Sequence, residues 1–180
     1  MNVQEAVQYF ELGCAFRRLG QNHDAVANFK QAVSIDPTNH VAWFNMANAY
    51  FDLKDFASSI ESYRHAVEVK PDYHEAWHNM GDVYLTRSQY KNAADIREAL
   101  NCYGESVRIK PDKSNSWANM GAVHNVLGEL EDAVQCLNIA LKCNPRNAGA
   151  WHIMGLVQKK RGDLVAAERC FRESKNLGGR

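Results

Sequence analysis

The sharpest chemical signal in this sequence is His74-Glu75-Ala76-Trp77-His78, a His-Glu-x-x-His run. On a helix that spacing sets two imidazoles on one face, suited to zinc, with the glutamate placed as general base. Such a site needs a third ligand, and Asp82, one turn beyond His78, is the candidate on that face. The same histidine position is filled by His40 without a motif, so ordinary surface histidines are the competing reading. A second signal is an amide that recurs: Asn45, Asn79 and Asn119 occupy matching positions in successive segments. A side-chain amide both donates and accepts, so a row of them can grip an extended peptide backbone without reading its sequence. Arg161-Gly162-Asp163 spells an adhesion tripeptide, but Gly20 and Gly128 mark equivalent turns, which makes Gly162 a turn residue. No nucleophile elbow, phosphate loop or paired-carboxylate motif occurs, and the chain is expected to be no enzyme and to need no cofactor or metal.

The elements that position these residues repeat. A first-helix aromatic appears as Tyr9, Trp43, Trp77, Trp117 and Trp151, with gaps of 34, 34, 40 and 34 residues. Three residues on stand Leu12, Met46, Met80, Met120 and Met154, each followed by a small residue: Gly13, Ala47, Gly81, Gly121, Gly155. A second stripe runs through Phe29, Tyr63, Tyr103, Leu137 and Phe171, with a small residue three further on. Both stripes have helical period. Pro37, Pro71, Pro111 and Pro145 stop the second helices. Each segment is therefore a helical hairpin, too small to stand alone, and the ladder of first-helix aromatics is expected to supply much of the burial, about 150–250 Å² each. Segment three is six residues too long. The excess falls between Ser88 and Glu98, where helical period persists, so a second helix lengthened at its start and protruding is expected. It is either a tolerated insertion or a ridge that reshapes a partner surface.

This pattern resembles the tetratricopeptide repeat family, whose signature sets Trp, Leu-Gly, Tyr, Ala, Phe and Pro at fixed offsets over about 34 residues. After a lead-in of residues 1–5, five repeats (6–39, 40–73, 74–113, 114–147 and 148–180) form a single array. The resemblance implies an all-α fold, a right-handed α-solenoid superhelix of five helix-turn-helix units whose first helices line a concave groove. The groove residues are then Asn45, Asn79 and Asn119 for backbone contacts, and Phe44, Asn48, His78, Asp82 and His152 for selectivity. The asparagine row resembles ladders known in the family, although asparagine is also its common residue at this mark. The family's carboxylate clamp does not fit: its positions hold Phe10, Cys14, Asn45, Glu75 and Asn79, and Glu75 would repel a carboxylate. Charge varies along the groove, with Arg17 and Arg18 at one end, Asp52, Glu75 and Asp82 in the middle, and Lys159 and Lys160 at the other.

Composition bounds the partners. The 180 residues carry zero formal net charge, which argues against nucleic acid or an anionic membrane surface. No apolar run is long enough to span a bilayer, so no membrane insertion is expected. Five cysteines without Cys-x-x-Cys spacing read as packing residues in a reducing compartment, cytoplasmic or nuclear. The leading expectation is a non-enzymatic scaffold or adaptor that binds a peptide or helix of another protein. The alternative is a homo-oligomer stacking through an uncapped end around Ala167, Cys170 and Phe171, and the remote one is a zinc hydrolase built on His74, Glu75 and His78.

Overall fold

The computed structural model describes residues 3–178. These form ten α-helices: α1 (Val3–Arg18), α2 (Asn22–Ile35), α3 (His40–Asp52), α4 (Phe56–Val69), α5 (His74–Ser88), α6 (Ala93–Ile109), α7 (Ser114–Leu127), α8 (Leu130–Cys143), α9 (Ala148–Lys160) and α10 (Leu164–Asn176). No strand occurs among the described residues. The chain divides into two compact units between Gln89 and Tyr90. The N-terminal unit holds α1 to α5 and the C-terminal unit α6 to α10.

Local chemistry sets the helix limits. Asn39, Asp55, Asn147 and Asp163 each accept a backbone N–H three residues on, which satisfies a donor the first turn leaves free. Each proline lies two residues past a helix end, at Ile35, Val69, Ile109 and Cys143. Its carbonyl has a use the spacing alone did not reveal. The indole N–H of Trp43, Trp77, Trp117 and Trp151 donates to the carbonyl of Pro37, Pro71, Pro111 and Pro145 at 2.9, 3.0, 2.8 and 2.9 Å. Proline and tryptophan six residues apart thus tie each turn to the helix that follows.

That geometry revises the expected core. All four tryptophans are only half-buried, because the indole edge must stay at the turn. The sealed large side chains belong to the second helices: Phe29, Tyr63, Tyr103 and Leu137 are at most 1% exposed. Phe29 in the N-terminal unit, and Leu137 and Phe171 in the C-terminal unit, press on a glycine of the first helix. A Cβ built on Gly13, Gly121 or Gly155 would sit 2.6, 2.7 or 2.5 Å from Phe29, Leu137 or Phe171. Two helices approach that closely only where one lacks a side chain. In repeat two the small residue is Ala47, itself fully buried.

The six extra residues of repeat three are shared out. Relative to repeat two, α5 gains two residues, the turn one and α6 three. The second helix is therefore lengthened, as the periodicity implies, but carries only half of the excess. The turn contains two successive non-glycine residues in the left-handed region, Gln89 at φ 47° and Tyr90 at φ 59°. Among the described residues no helix is long and apolar enough to cross a membrane.

Candidate functional site

In the N-terminal unit the first helices α1, α3 and α5 present a face of half-buried polar and aromatic side chains. Its centre is Asn48 on α3. Asn48 Oδ1 accepts from the Tyr63 hydroxyl at 2.6 Å and from Asn79 Nδ2 on α5 at 3.2 Å. Burial raises the Tyr63 phenol above its usual range, so it stays protonated and donates. The amide of Asn48 is thereby oriented from beneath by the core and from the side by the next first helix. Asn48 Nδ2 and Asn79 Oδ1 have no hydrogen-bond partner among the described residues, and neither is sealed from solvent. The two linked amides thus retain one donor and one acceptor, the group types a peptide unit pairs with.

The other expected groove residues of this unit are placed differently. Asn45 turns back on its own helix, donating to the Val41 carbonyl at 2.8 Å, and its Oδ1 faces Arg17 Nη1 at 3.5 Å. Asn45 and Asn79 therefore do not meet as rungs of one ladder; Asn48 is the residue that links α3 to α5. Phe44 packs on Tyr63 and Tyr73 with ring centroids 5.7 and 5.0 Å away, and Tyr73 takes the edge of His40 at 5.2 Å. Burial lowers the His40 pKa, with Lys70 adding to the effect, so this ring sits neutral in an apolar cluster. Arg17 Nε lies 3.9 Å from Asp52, and the two flank a recess of about 530 Å³ that Cys14, Arg18 and Asn45 also line.

The His-Glu-x-x-His residues share α5, but each imidazole faces its own carboxylate: His74 Nε2 lies 3.0 Å from Glu75 and His78 Nε2 lies 3.5 Å from Asp82. Glu75 is thus engaged by a histidine rather than aimed at a shared position. The described residues bring one other trio of ligand types together, in the C-terminal unit. His124, Glu129 and Asp132 have ligand atoms within 4.8 Å of one another, with both carboxylates exposed and His124 Nδ1 hydrogen-bonded to Glu129 at 2.6 Å.

In the C-terminal unit Asn119 is half-buried on α7, and His152 on α9 packs against Phe171 at 5.5 Å. Ala167 and Cys170, expected on an exposed face, are 3% and 6% exposed because α10 turns them onto α9; the open apolar side chains of that helix are Leu164 and Val165. Cys102 and Cys136 are buried as well, and burial pushes the Cys136 thiol up to about 11.

Sequence reasoning missed the role of Tyr63. The available signal was a tyrosine at a core mark where repeats one, four and five carry Phe29, Leu137 and Phe171. A buried hydroxyl needs a partner, and the inner face supplies it.

The tetratricopeptide repeat family profile matches residues 13–54, and the profile described as cilia and flagella-associated protein 70 C-terminal domain matches residues 41–178. No curated protein matches the chain. Among solved structures, a crystal structure of MamA protein is 18% identical with a TM-score of 0.85, covering 97% of this chain and 92% of that one. MamA from Desulfovibrio magneticus, residue 41 to the end, is 18% identical with a TM-score of 0.84 over 97% and 95% of the two chains. YrrB, described as a TPR protein with an unusual peptide-binding site, is 15% identical with a TM-score of 0.78 over 98% and 88%. At such identities the likeness establishes the fold, an all-α solenoid of tetratricopeptide type. With residues 41–178 matched, the chain belongs to the family of the cilia and flagella-associated protein 70 C-terminal domain.

Proposed function

We propose that this chain is a non-enzymatic interaction module that binds a peptide or helical segment of a partner protein on its first-helix face. The carrying observation is the amide pair joined by the Asn79 Nδ2 to Asn48 Oδ1 hydrogen bond and oriented by Tyr63, on a half-buried face. Orientation by Tyr63 reduces the entropy lost when a peptide group docks. Phe44 and His78 flank the pair and would read side chains, and Asp82 fixes the His78 ring. Asn45 adds to this surface on α3 itself, and Asn119 on α7 and His152 on α9 are proposed contacts of the C-terminal unit taken by itself. Two relatives in fold support the class of reading: the tetratricopeptide profile covers α3, and YrrB is a fold neighbour described as peptide-binding.

The test is capture of partners by the wild-type chain beside an Asn45→Ala, Asn79→Ala, Asn119→Ala variant, with circular dichroism confirming equal helicity. Loss of specific partners with helicity retained is the expected result. Undiminished capture would place binding elsewhere on the molecule and end the proposal for this face.

A further inference from the structure

In the recess between α1 and α3 cationic donors outnumber their acceptors. It is lined by Cys14, Arg17, Arg18, Asn45 and Asp52. Arg17 carries five N–H donors, yet among the described residues its one side-chain hydrogen bond is the 3.5 Å contact from Nη1 to Asn45 Oδ1. Asp52 stands 3.9 Å from Arg17 Nε, close enough to attract and too far to accept. Arg17 Nε is consequently buried without a partner. Arg18 donates from Nε to the Cys14 carbonyl of its own helix at 3.3 Å and meets no carboxylate among the described residues. Two guanidinium groups thus line a recess of about 530 Å³ together with one carboxylate, loosely placed near Arg17.

The geometry points to an anionic subsite in this recess, whose ligand is the carboxylate of an aspartate or glutamate side chain within the bound peptide. The inference rests on the reading that this face binds a peptide, and it names one class of side chain that peptide carries. The recess shares Cys14 and Asn45 with the positions of the family's terminal-carboxylate clamp, but its cations, Arg17 and Arg18, stand one helical turn further along α1, outside those positions. A guanidinium has two edges. If Asp52 closes on the Nε edge as the ligand arrives, the buried donor is satisfied and the Nη edge is presented to the incoming carboxylate, a charge-assisted and potentially bidentate contact. Arg18 adds attraction from the same rim, and Asp52 keeps the recess from drawing in anions indiscriminately. A neutral amide of the same shape gains none of this.

The probes are three pentapeptides that differ only as stated: one capped at both ends with glutamate at its centre, one capped with glutamine there, and one with central glutamine and a free C-terminal carboxylate. Each is titrated into the full chain, with the ¹H–¹⁵N signals of the backbone and of the arginine Nε groups as the readout. The capped glutamate peptide should bind about tenfold more tightly than the capped glutamine peptide at low salt and shift Arg17 Nε. The preference should collapse to near unity in Arg17→Gln, and it should grow in Asp52→Asn, where the competing carboxylate is gone. Helicity is checked by circular dichroism, and Arg17→Lys should restore part of the preference by charge alone. Equal affinity for the two capped peptides, a preference that persists in Arg17→Gln, or no binding by either would overturn the subsite. Binding of the free-carboxylate peptide as tight as that of the glutamate peptide would overturn its assignment to a side chain. The two readings fail separately in an Asn48→Ala, Asn79→Ala variant, which leaves the lining of the recess intact: if both capped peptides bind equally and lose affinity there, the face stands and the anion subsite falls. If the glutamate peptide keeps its affinity and its Arg17 shift in that variant, the subsite stands and the asparagine face falls.

Discussion

The two compact units meet the same structural demand with different side chains. Where a second helix meets the next first helix, the N-terminal unit places Ala32 and Ala42, then Ala66 and Ala76, all fully buried. The C-terminal unit places Ser106 and Ser116 at the equivalent positions, equally buried, with their hydroxyls 3.0 Å apart. Nearby, Ser114 donates to the Ala140 carbonyl at 2.8 Å and accepts from Asn147 Nδ2 at 2.8 Å. Ser174 likewise donates to the Ala148 carbonyl at 2.8 Å. These serines of the C-terminal unit are thus closed on neighbouring groups inside helix junctions. Polar groups of the N-terminal unit include Asn48, Asn79 and Arg17, which hold donors and acceptors open on the first-helix face. One repeat frame can therefore direct hydrogen bonding either inward, to fix packing, or outward, to a surface where a partner can use it.

The largest effect that separates the units should come from the rings lying on glycine. Phe29 is sealed, while Phe171 occupies the same mark half-buried. Phe29→Ala is expected to destabilise by about 3–5 kcal/mol, the range for a fully buried aromatic, and Phe171→Ala by distinctly less, since its site is already open to water. Denaturant melts of both variants followed by circular dichroism give the comparison. Equal losses would show that burial at this mark does not differ between the units.

Much of this was legible in the sequence because it depends on period and on punctuation. The five aromatic marks and four prolines anticipated ten helices, and the second helix of repeat three is lengthened where helical period persists in the sequence. How that excess divides among α5, the turn and α6 was not legible, since Gln89 and Tyr90 adopt a left-handed conformation that their side chains do not advertise. The tryptophans were visible as a recurring apolar mark, whereas their role as donors to a proline carbonyl depends on a turn closing in three dimensions. Asn45, Asn48 and Asn79 were all recognised as candidates. Helical spacing placed them on one face, but it could not tell that Asn45 folds back on Val41 while Asn48 reaches Asn79, because that is a choice of rotamer.

A smaller effect tests whether the serine junction is a matched pair. Replacing Ser106 or Ser116 alone by alanine removes one hydroxyl and leaves the other in a sealed site, at a cost of about 1 kcal/mol. Replacing both recreates the alanine pair of the N-terminal unit and should cost less than the two single changes added together, with a coupling of about 0.5–1 kcal/mol in a double-mutant cycle. Simple additivity would mean that the two hydroxyls act independently and that the serine pair is no counterpart of the alanine pairs.

The smallest effect concerns the turns, where repeats of both units share one closure. Gln21 donates to Phe16, Asp55 to Tyr50, Glu129 to His124 and Asp163 to Gln158, all through backbone groups at 2.9 to 3.0 Å. The residue just before each donor must be left-handed, and it is Gly20, Gly128 and Gly162 in three repeats but Lys54, at φ 63°, in repeat two. A side chain in that region crowds its own carbonyl, whereas glycine does not. Lys54 is exposed, with no side-chain hydrogen bond or ion pair among the described residues to offset the strain, so Lys54→Gly should stabilise the N-terminal unit by about 0.5–1 kcal/mol despite the added freedom of the unfolded chain. The reciprocal Gly128→Lys should weaken the C-terminal unit by a similar amount. If Lys54→Gly instead lowers the melting temperature, the lysine contributes something the backbone closure does not explain, and the turns of the two units are not equivalent.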